Sequence, residues 1–587
     1  MPLRIICNPL DLPYRHQEVT AHDGIRTVFR EAADPTVLRV GEDFLLFASV
    51  SRGWWRSRDL VTWELVDSAS LPADDYAPDI ALVDGDLVFS ASRRANGRVY
   101  RAAGAGEEAL RDEAFSRVAD YDFPIWDPAI FQDDDGRVYL YWGCSATEPV
   151  RGVELDPRTL QPLGEPIALI RADGEAHGWE RNGEDHGRGG PLNELDAMMA
   201  QYTGNPPFIE GAFMTKHEGR YHLQYAAPGT QYNTYADGAY VAESPLGPYT
   251  YETTSPFSFK PGGFATGAGH GSTFQDRHGN WWHAATLRVS VNGLFERRVG
   301  LFPAGFDEDG KLFCHQEFGD YPFAVPDGPA DPRTLGTGWM LQSYRCAATA
   351  SSSLDGHGPE QAVNEEIRTW WAAAGRGAGE WLALDLGELS TVHALQVNLA
   401  DHDTAAMADG FPGAAEFAFG VRAVDDRTHA TELLVEVSED GASWATVHDS
   451  RGGDADTPHA LIVLPAPLEV RHVRVSFGLL PFGGRPAVSG LRVFGLGHGE
   501  PPAAVTPSAR RRGPLDAHVS WPAADGADGY LVRYGAAPDR LHHAWQVHGR
   551  TELDVSSLNA GVEYFFAVDA FNRHGVASGP TVGEEGA

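Results

Sequence analysis

Through the N-terminal half of the chain, apolar and polar positions alternate in short runs that are cut by acidic, glycine-bearing turns. Residues 127–143 show the pattern most clearly. Asp127 precedes an apolar run from Ala129 to Phe131, an acidic turn closes on Gly136, and an aromatic run from Val138 to Trp142 follows. Alternation of this length around a tight turn predicts a β-hairpin, because Asp and Gly accept the positive φ angles that such turns need. The same pattern recurs behind Asp34, Asp79, Glu210 and His270, at intervals of 45 to 83 residues. That spacing suits four-stranded propeller blades with insertions, and stretches around Trp63 and from Ala242 to Tyr251 suit the outer strands. Five copies predict an all-β, five-bladed β-propeller over residues 1–325.

Beyond Phe323 the pattern changes. Residues 340–498 alternate like an antiparallel sandwich, Pro501-Pro502 and Arg510-Arg511-Arg512 read as a linker, and residues 503–587 form a second sandwich pattern with Trp521 as its core plug. The composition, with 15 Trp, 19 Tyr, 28 Phe, 66 Gly and 39 Pro, fits many strands and turns. A net charge of −36 repels phosphate backbones and argues against a nucleic-acid partner. Cys7, Cys144, Cys314 and Cys346 are far apart, so they suggest free thiols and neither a zinc site nor a disulfide framework. No run reaches the roughly 18 apolar residues of a membrane span, and the start lacks a signal-peptide core. The expectation is a cytoplasmic protein as written, or a secreted one if its N-terminus was trimmed. The oligomeric state is left open.

The head of each copy carries the candidate chemistry. Inner strands of a propeller line a central channel, so Asp34, Asp127 and Glu210 are expected to converge there. A single Asp before a strand is usually a turn residue, and Asp79 keeps that reading. Three carboxylates around one funnel repel one another, and such a cost points to function. The set suits glycoside hydrolysis, in which one carboxylate activates water and an opposite acid protonates the leaving oxygen.

Ala33-Asp34-Pro35, Trp126-Asp127-Pro128 and Ile209-Glu210-Gly211, each with a hairpin behind it, resemble the motifs of the family 43 glycoside hydrolases from about Asn8 to Phe323. The resemblance implies an inverting enzyme with Asp34 as general base, Glu210 as general acid and Asp127 as modulator of the acid's pKa. It implies that His270, between glycines, faces the channel axis and holds a water or a calcium ion, with no cofactor required. It also implies that Arg297 or Arg298 reaches a sugar hydroxyl while the other pairs with a surface acid. Trp54, Trp126 and Phe208 are candidate sugar platforms, with blade packing equally open for Trp55 and Trp142. Trp179 and His177 lie in a long interruption, 171–207, expected to shape a binding site.

The region 340–498 resembles discoidin-type domains through Ala350-Ser-Ser-Ser, the Trp370-Trp371 pair and the run from Trp381 to Gly387. Carbohydrate binding is one implication. Residues 503–587 resemble a fibronectin type III domain, with Tyr564 where a tyrosine corner falls.

The expected activity is exo-hydrolysis of plant-polysaccharide-derived oligosaccharides, as a β-xylosidase or α-L-arabinofuranosidase. The alternatives are a non-catalytic glycan-binding protein and an enzyme of the same family acting on galactose-containing glycans. A retaining fructosidase or a phosphorylase fits less well, since the Asn-Asp-Pro-Asn head and a basic cluster for phosphate are both missing.

Overall fold

The computed structural model describes residues 4–585 apart from 69–70, 72–75, 94–95, 107, 188–196, 198–206 and 418–419. Five antiparallel meanders occupy the N-terminal half, each pairing its strands in chain order. Their innermost strands are Thr36–Val40, Asp79–Val83, Ala129–Gln132, Glu210–His217 and Thr266–Gln275. The five-bladed propeller expected from the repeat is therefore present. The turns behave as their residues dictate: Asp84-Gly85 has φ of 52° and 83°, and Glu218-Gly219 has 48° and 79°, the double positive φ of a tight hairpin turn. The two ends of this region meet in a separate two-stranded sheet, where Ile5–Ile6 pairs with Phe323–Ala324.

The sheet that follows runs in the order Met340–Leu341, Ala487–Gly497, Trp381–Leu399, His459–Phe477, Leu433–Ser438, Ala445–Asp449. Its core is aliphatic, built on Leu382, Leu395, Val435, Val473 and Val493 around buried Trp371. Residues 508–583 form two facing sheets of shorter strands, and Tyr564 Oη accepts a hydrogen bond from Asn559 N at 3.1 Å. The Arg510-Arg511-Arg512 triplet is no linker. It lies in the strand Ser508–Gly513, paired with Asp516–Ser520, and Arg511 reaches Glu584 at 3.1 Å.

These three bodies share buried surfaces. One apolar cluster runs from Tyr141, Tyr225 and Phe259 of the propeller through Trp179 to Trp545, Tyr564 and Phe566 of the C-terminal sandwich. On another side, the propeller hairpin His16–Ala21/Arg26–Arg30 forms a four-stranded sheet with Ala415–Phe417 and Gly420–Val424 of the middle body. Arg30, fully buried, fastens this junction with Asp401 at 2.7 Å and Asp456 at 3.0 Å.

Candidate active site

The blade heads share one local geometry. Ser49 N donates to Ala33 O, Ser92 N to Tyr76 O and Gly143 N to Trp126 O, so Ala33, Tyr76 and Trp126 hold equivalent places on the channel rim. The residue after each has positive φ: Asp34 54°, Ala77 44°, Asp127 52°. Proline follows in all three cases and starts the descent into the channel. By this register Ala77, not Asp79, heads the second blade. Asp79 lies two residues further in, where its Oδ2 accepts from Ile130 N at 2.7 Å and ties two blades together. Burial pushes its carboxyl up to about 7. Asp79, expected to be a turn residue, is thus the first residue of a strand and links two blades through its side chain.

Asp34 is almost fully buried. Its carboxylate accepts from Ser49 Oγ and from Arg297 Nη1 at 3.1 Å, and His270 Nδ1 lies 3.4 Å away. Burial alone would raise its pKa, but Arg297 and then His270 outweigh burial and hold the group below the usual carboxylate range. Asp127, also buried, bonds Ser92 Oγ at 3.1 Å, faces Gly211 N at 3.4 Å and stands 3.8 Å from His270 Nδ1. Glu210, on the neighbouring blade, accepts from Tyr235 Oη and from Cys144 Sγ at 3.4 Å. One ligand atom each from Asp127, Cys144 and Glu210 falls within a 4.8 Å group.

Both members of the Asp127–Glu210 pair are pushed up, Asp127 to about 7, by burial first and, for Asp127, by the charge of Glu210. Two carboxyls this close and this dry hold a proton to higher pH than ordinary carboxyls do, and that proton belongs to the pair. His270 moves the other way from an ordinary buried imidazole. Burial would lower its pKa, but Asp34, Asp127 and Glu210 outweigh burial and raise it above the ordinary imidazole value, which favours the cation. The expected repulsion among three acids is thus offset by Arg297, by His270 and by the shared proton.

His270 is held from behind. Its amide donates to Asp237 Oδ1 at 2.7 Å, Asp237 Oδ2 binds His283 at 2.9 Å, and Thr273 and Gln224 extend the chain of hydrogen bonds. In front, its ring lies over Gly211, where an added Cβ would sit 2.7 Å from His270 Cγ. The narrow axial cavity at His270 is lined by Asp34, Thr36, prolines, alanines, glycines and Phe213. Beyond Asp34 and Thr36 those side chains offer a hard cation no oxygen, whereas calcium takes six to eight. With the Asp127 carboxylate 3.8 Å from His270 added, the side chains there still supply fewer oxygens than calcium takes, and no chemistry below runs through a metal.

The other expected site residues divide. Trp126 is half-exposed beside Asp127, and Phe208 is half-buried two residues before Glu210. Arg297 is buried on Asp34 and on Glu31, to which Nε donates at 2.9 Å. Arg298 does not reach the channel: it bonds His459 at 2.9 Å and buried Glu296 at 3.3 Å, so its partner acid is not a surface one. Trp54 is no sugar platform, being 1% exposed and stacked on Phe47 in the blade core. Trp179 is none either. It is fully buried, bonds Tyr251 Oη at 2.8 Å and packs on Tyr225 and Gly238 beneath the C-terminal sandwich. His177 stacks on Tyr251 at the same junction. Most of the rest of that long interruption, from residue 188 to 206, is outside the described residues.

Sequence reasoning missed Tyr76, Tyr235, Cys144 and the two serines. Ser49 and Ser92 stand at the same place in their copies, and aligning the ends of the second strands would have found them. Tyr235 carries no such signal.

The family profile for glycosyl hydrolases family 43 matches residues 27–312, a span that contains Asp34, Asp127, Glu210, His270 and Arg297. Residues 27–312 are a family 43 glycosyl hydrolase domain. Relatives of this domain include a xylosidase/arabinosidase 43A of Humicola insolens, 27% identical over 270 residues, covering 40% of this chain and 73% of the relative. A non-reducing end alpha-L-arabinofuranosidase of Bacteroides ovatus is 24% identical over 307 residues, covering 47% of this chain and 50% of its own. The chain spans about half the length of several of its curated relatives. Among solved structures, a xylan beta-1,4-xylosidase from Bacillus halodurans aligns over 98% of this chain and 96% of its own at 14% identity, with a TM-score of 0.38. No helix among the described residues is long and apolar enough to cross a membrane.

Proposed function

We propose that the propeller is an inverting exo-glycosidase that removes xylosyl or arabinofuranosyl units from oligosaccharides of plant polysaccharides. The observation that carries this reading is the asymmetry of the three carboxyls around His270. Arg297 and His270 hold Asp34 below the ordinary carboxylate range, while burial raises Asp127 and Glu210, which favours a proton on that pair. An ionised base facing a protonated acid is what single displacement by water requires.

In this mechanism Asp34 takes a proton from a water whose oxygen bonds to the anomeric carbon from the face opposite the leaving group. The C–O bond to the leaving group breaks as Glu210 delivers its proton to that oxygen. Asp127 keeps the acid protonated before attack, and its bond to Ser92 and contact with Gly211 N fix its place. His270 and Arg297 balance the charge and hold Asp34 in line. Inversion needs the base and acid carboxyls roughly 6.5–9.5 Å apart, with room for the water. The names of the relatives support pentose substrates, and Trp126 and Phe208 are apolar faces on which such a ring can rest. We also assign the middle body to the discoidin-like class and the C-terminal sandwich to the fibronectin type III class, for which Tyr564 Oη on Asn559 N is support.

The test is NMR detection of the first-formed anomer with aryl xyloside, arabinofuranoside and galactoside. Release of the inverted pentose is expected. Retention, or cleavage of the galactoside alone, would overturn the reading.

A further inference from the structure

The two oxygens of Glu210 are held by two different donors in opposite surroundings. Tyr235 Oη donates to Oε1, and Cys144 Sγ lies 3.4 Å from Oε2. Tyr235 is 1% exposed, so the Oε1 side of the carboxyl is closed. Cys144 is only half-buried, and its sulfur lies within 4.8 Å of an Asp127 carboxylate oxygen. The Oε2 side is therefore the open one.

Packing fixes the phenol where it is. Tyr235 ends a short turn, its amide donating to Tyr232 O at 3.3 Å, and leads into the strand Ala236–Ala242. Its ring lies against Gly269, where an added Cβ would sit 2.9 Å from Cγ and Cδ1. Two residues further on, Asp237 anchors the amide of His270, so one strand start serves both the acid and the axial histidine. Glu210 is the phenol's one hydrogen-bond partner among the described residues. Burial, and then the charge of Glu210, hold the phenol's proton well above the ordinary tyrosine value. A buried hydroxyl keeps its proton on an acceptor, because leaving it unpaired costs its full desolvation penalty. The phenol is thus a donor whether Glu210 is protonated or ionised, and Oε1 accepts in both states.

We propose that Tyr235 and Cys144 are positioning residues of the general acid: the phenol on Oε1 confines the transferable proton to Oε2, and the two donors together cradle the carboxylate left behind. The inference rests on the glycosidase reading. In the step itself the O–H bond at Oε2 breaks and the leaving oxygen, which takes the electrons of the broken C–O bond, receives that proton. Tyr235 and Cys144 keep theirs. As negative charge develops on Glu210, each of its oxygens already has a donor aimed at it, so nothing has to reorganise. Without the phenol the proton can sit on either oxygen, and the Oε1 form points into the closed side.

The experiment compares full-length wild type with Tyr235→Phe, which keeps the ring against Gly269 and removes only the donor, and with Cys144→Ala. kcat and KM are measured across pH on an aryl glycoside with an activated leaving group and on an oligosaccharide of the same sugar, alongside thermal midpoints. Tyr235→Phe is expected to lower kcat on the oligosaccharide about 10- to 100-fold with KM little changed, and activity on the aryl glycoside by about 3-fold or less. A donor to the charged form lowers an acid's pKa, so losing it should move the basic limb of kcat/KM up by about one pH unit. Cys144→Ala should move the same limb the same way by less, because a thiol is a weak donor. Equal losses on both substrates, a basic limb that stays or moves down, or wild-type turnover of the oligosaccharide by Tyr235→Phe overturns the proposal. If Tyr235→Phe does not fold, Cys144→Ala decides alone, and an unmoved limb overturns the proposal. Wild type that cleaves neither substrate would instead refute the glycosidase reading, and the inference with it.

Discussion

Replacing Asp127 by Asn should make the protein more stable and less active at once. Burial and the neighbouring carboxylates lift the carboxyl to about 7, so ionising the Asp127–Glu210 pair in the fold costs on the order of a few kcal/mol. Its sign follows from the direction of the shift. Below about pH 4 the group is protonated folded and unfolded, and the cost is absent. As pH rises, the unfolded chain releases its proton first, stability is lost, and the loss is complete above about 7. Asn has the same shape, still accepts from Ser92, and cannot ionise. Calorimetry of wild type and Asp127→Asn at pH 4, 6 and 8 should show thermal midpoints that coincide at the lowest pH and separate by several degrees in favour of the variant at the highest. Activity on a natural oligosaccharide should fall about 100-fold or more, the usual contribution of a proton-transfer apparatus. Asp79→Asn is the control, because burial lifts that carboxyl to about 7 as well and it is not one of the three carboxyls around His270. It should gain stability with the same pH dependence and keep its activity. A separation between Asp127→Asn and wild type that is flat with pH, or a variant less stable at pH 8, would refute the electrostatic account.

Two further outcomes follow from packing. Gly211→Ala places a Cβ 2.7 Å from the His270 ring at a φ of +64°; the backbone strain costs about 1–2 kcal/mol, and the ring must leave its position between Asp34 and Asp127. Calorimetry should show only that modest destabilisation while kcat/KM falls far more steeply. Trp179→Ala empties a fully buried site between the propeller and the C-terminal sandwich, so denaturant titration should show a loss of about 3–5 kcal/mol or unfolding in two steps.

How much was readable in advance depended on whether a feature repeats. Strand–turn–strand copies reveal five blades because each copy obeys the same period and turn chemistry, and the three acids stand out because they recur at the heads. The register within a copy was harder. Asp79 looks like a head acid beside Asp34 and Asp127, and only the Ser92–Tyr76 hydrogen bond shows that Ala77 holds that place. Aromatic residues were the weakest guide. Trp54 and Trp126 both precede or follow turns, yet one stacks inside a blade and the other reaches the rim, a difference set by the face of the strand and by what packs on it. Trp179 sits in a long loop that resembles a site-shaping insertion, but the loop is buried by a domain more than 300 residues further along the chain. Contacts made between bodies leave no periodic trace, and the electrostatics of the Asp127–Glu210 pair arise only when two blades bring their heads together.

The central claim, that Glu210 delivers the proton opposite Asp34, is tested most directly by the Glu210→Ala variant on two substrates of one sugar, an aryl glycoside with an activated leaving group and the natural oligosaccharide. A good leaving group departs without a proton, so the account predicts a small loss on the aryl glycoside and a loss of about 100-fold or more on the oligosaccharide. Equal losses on both, or near-wild-type turnover of the oligosaccharide, would contradict it.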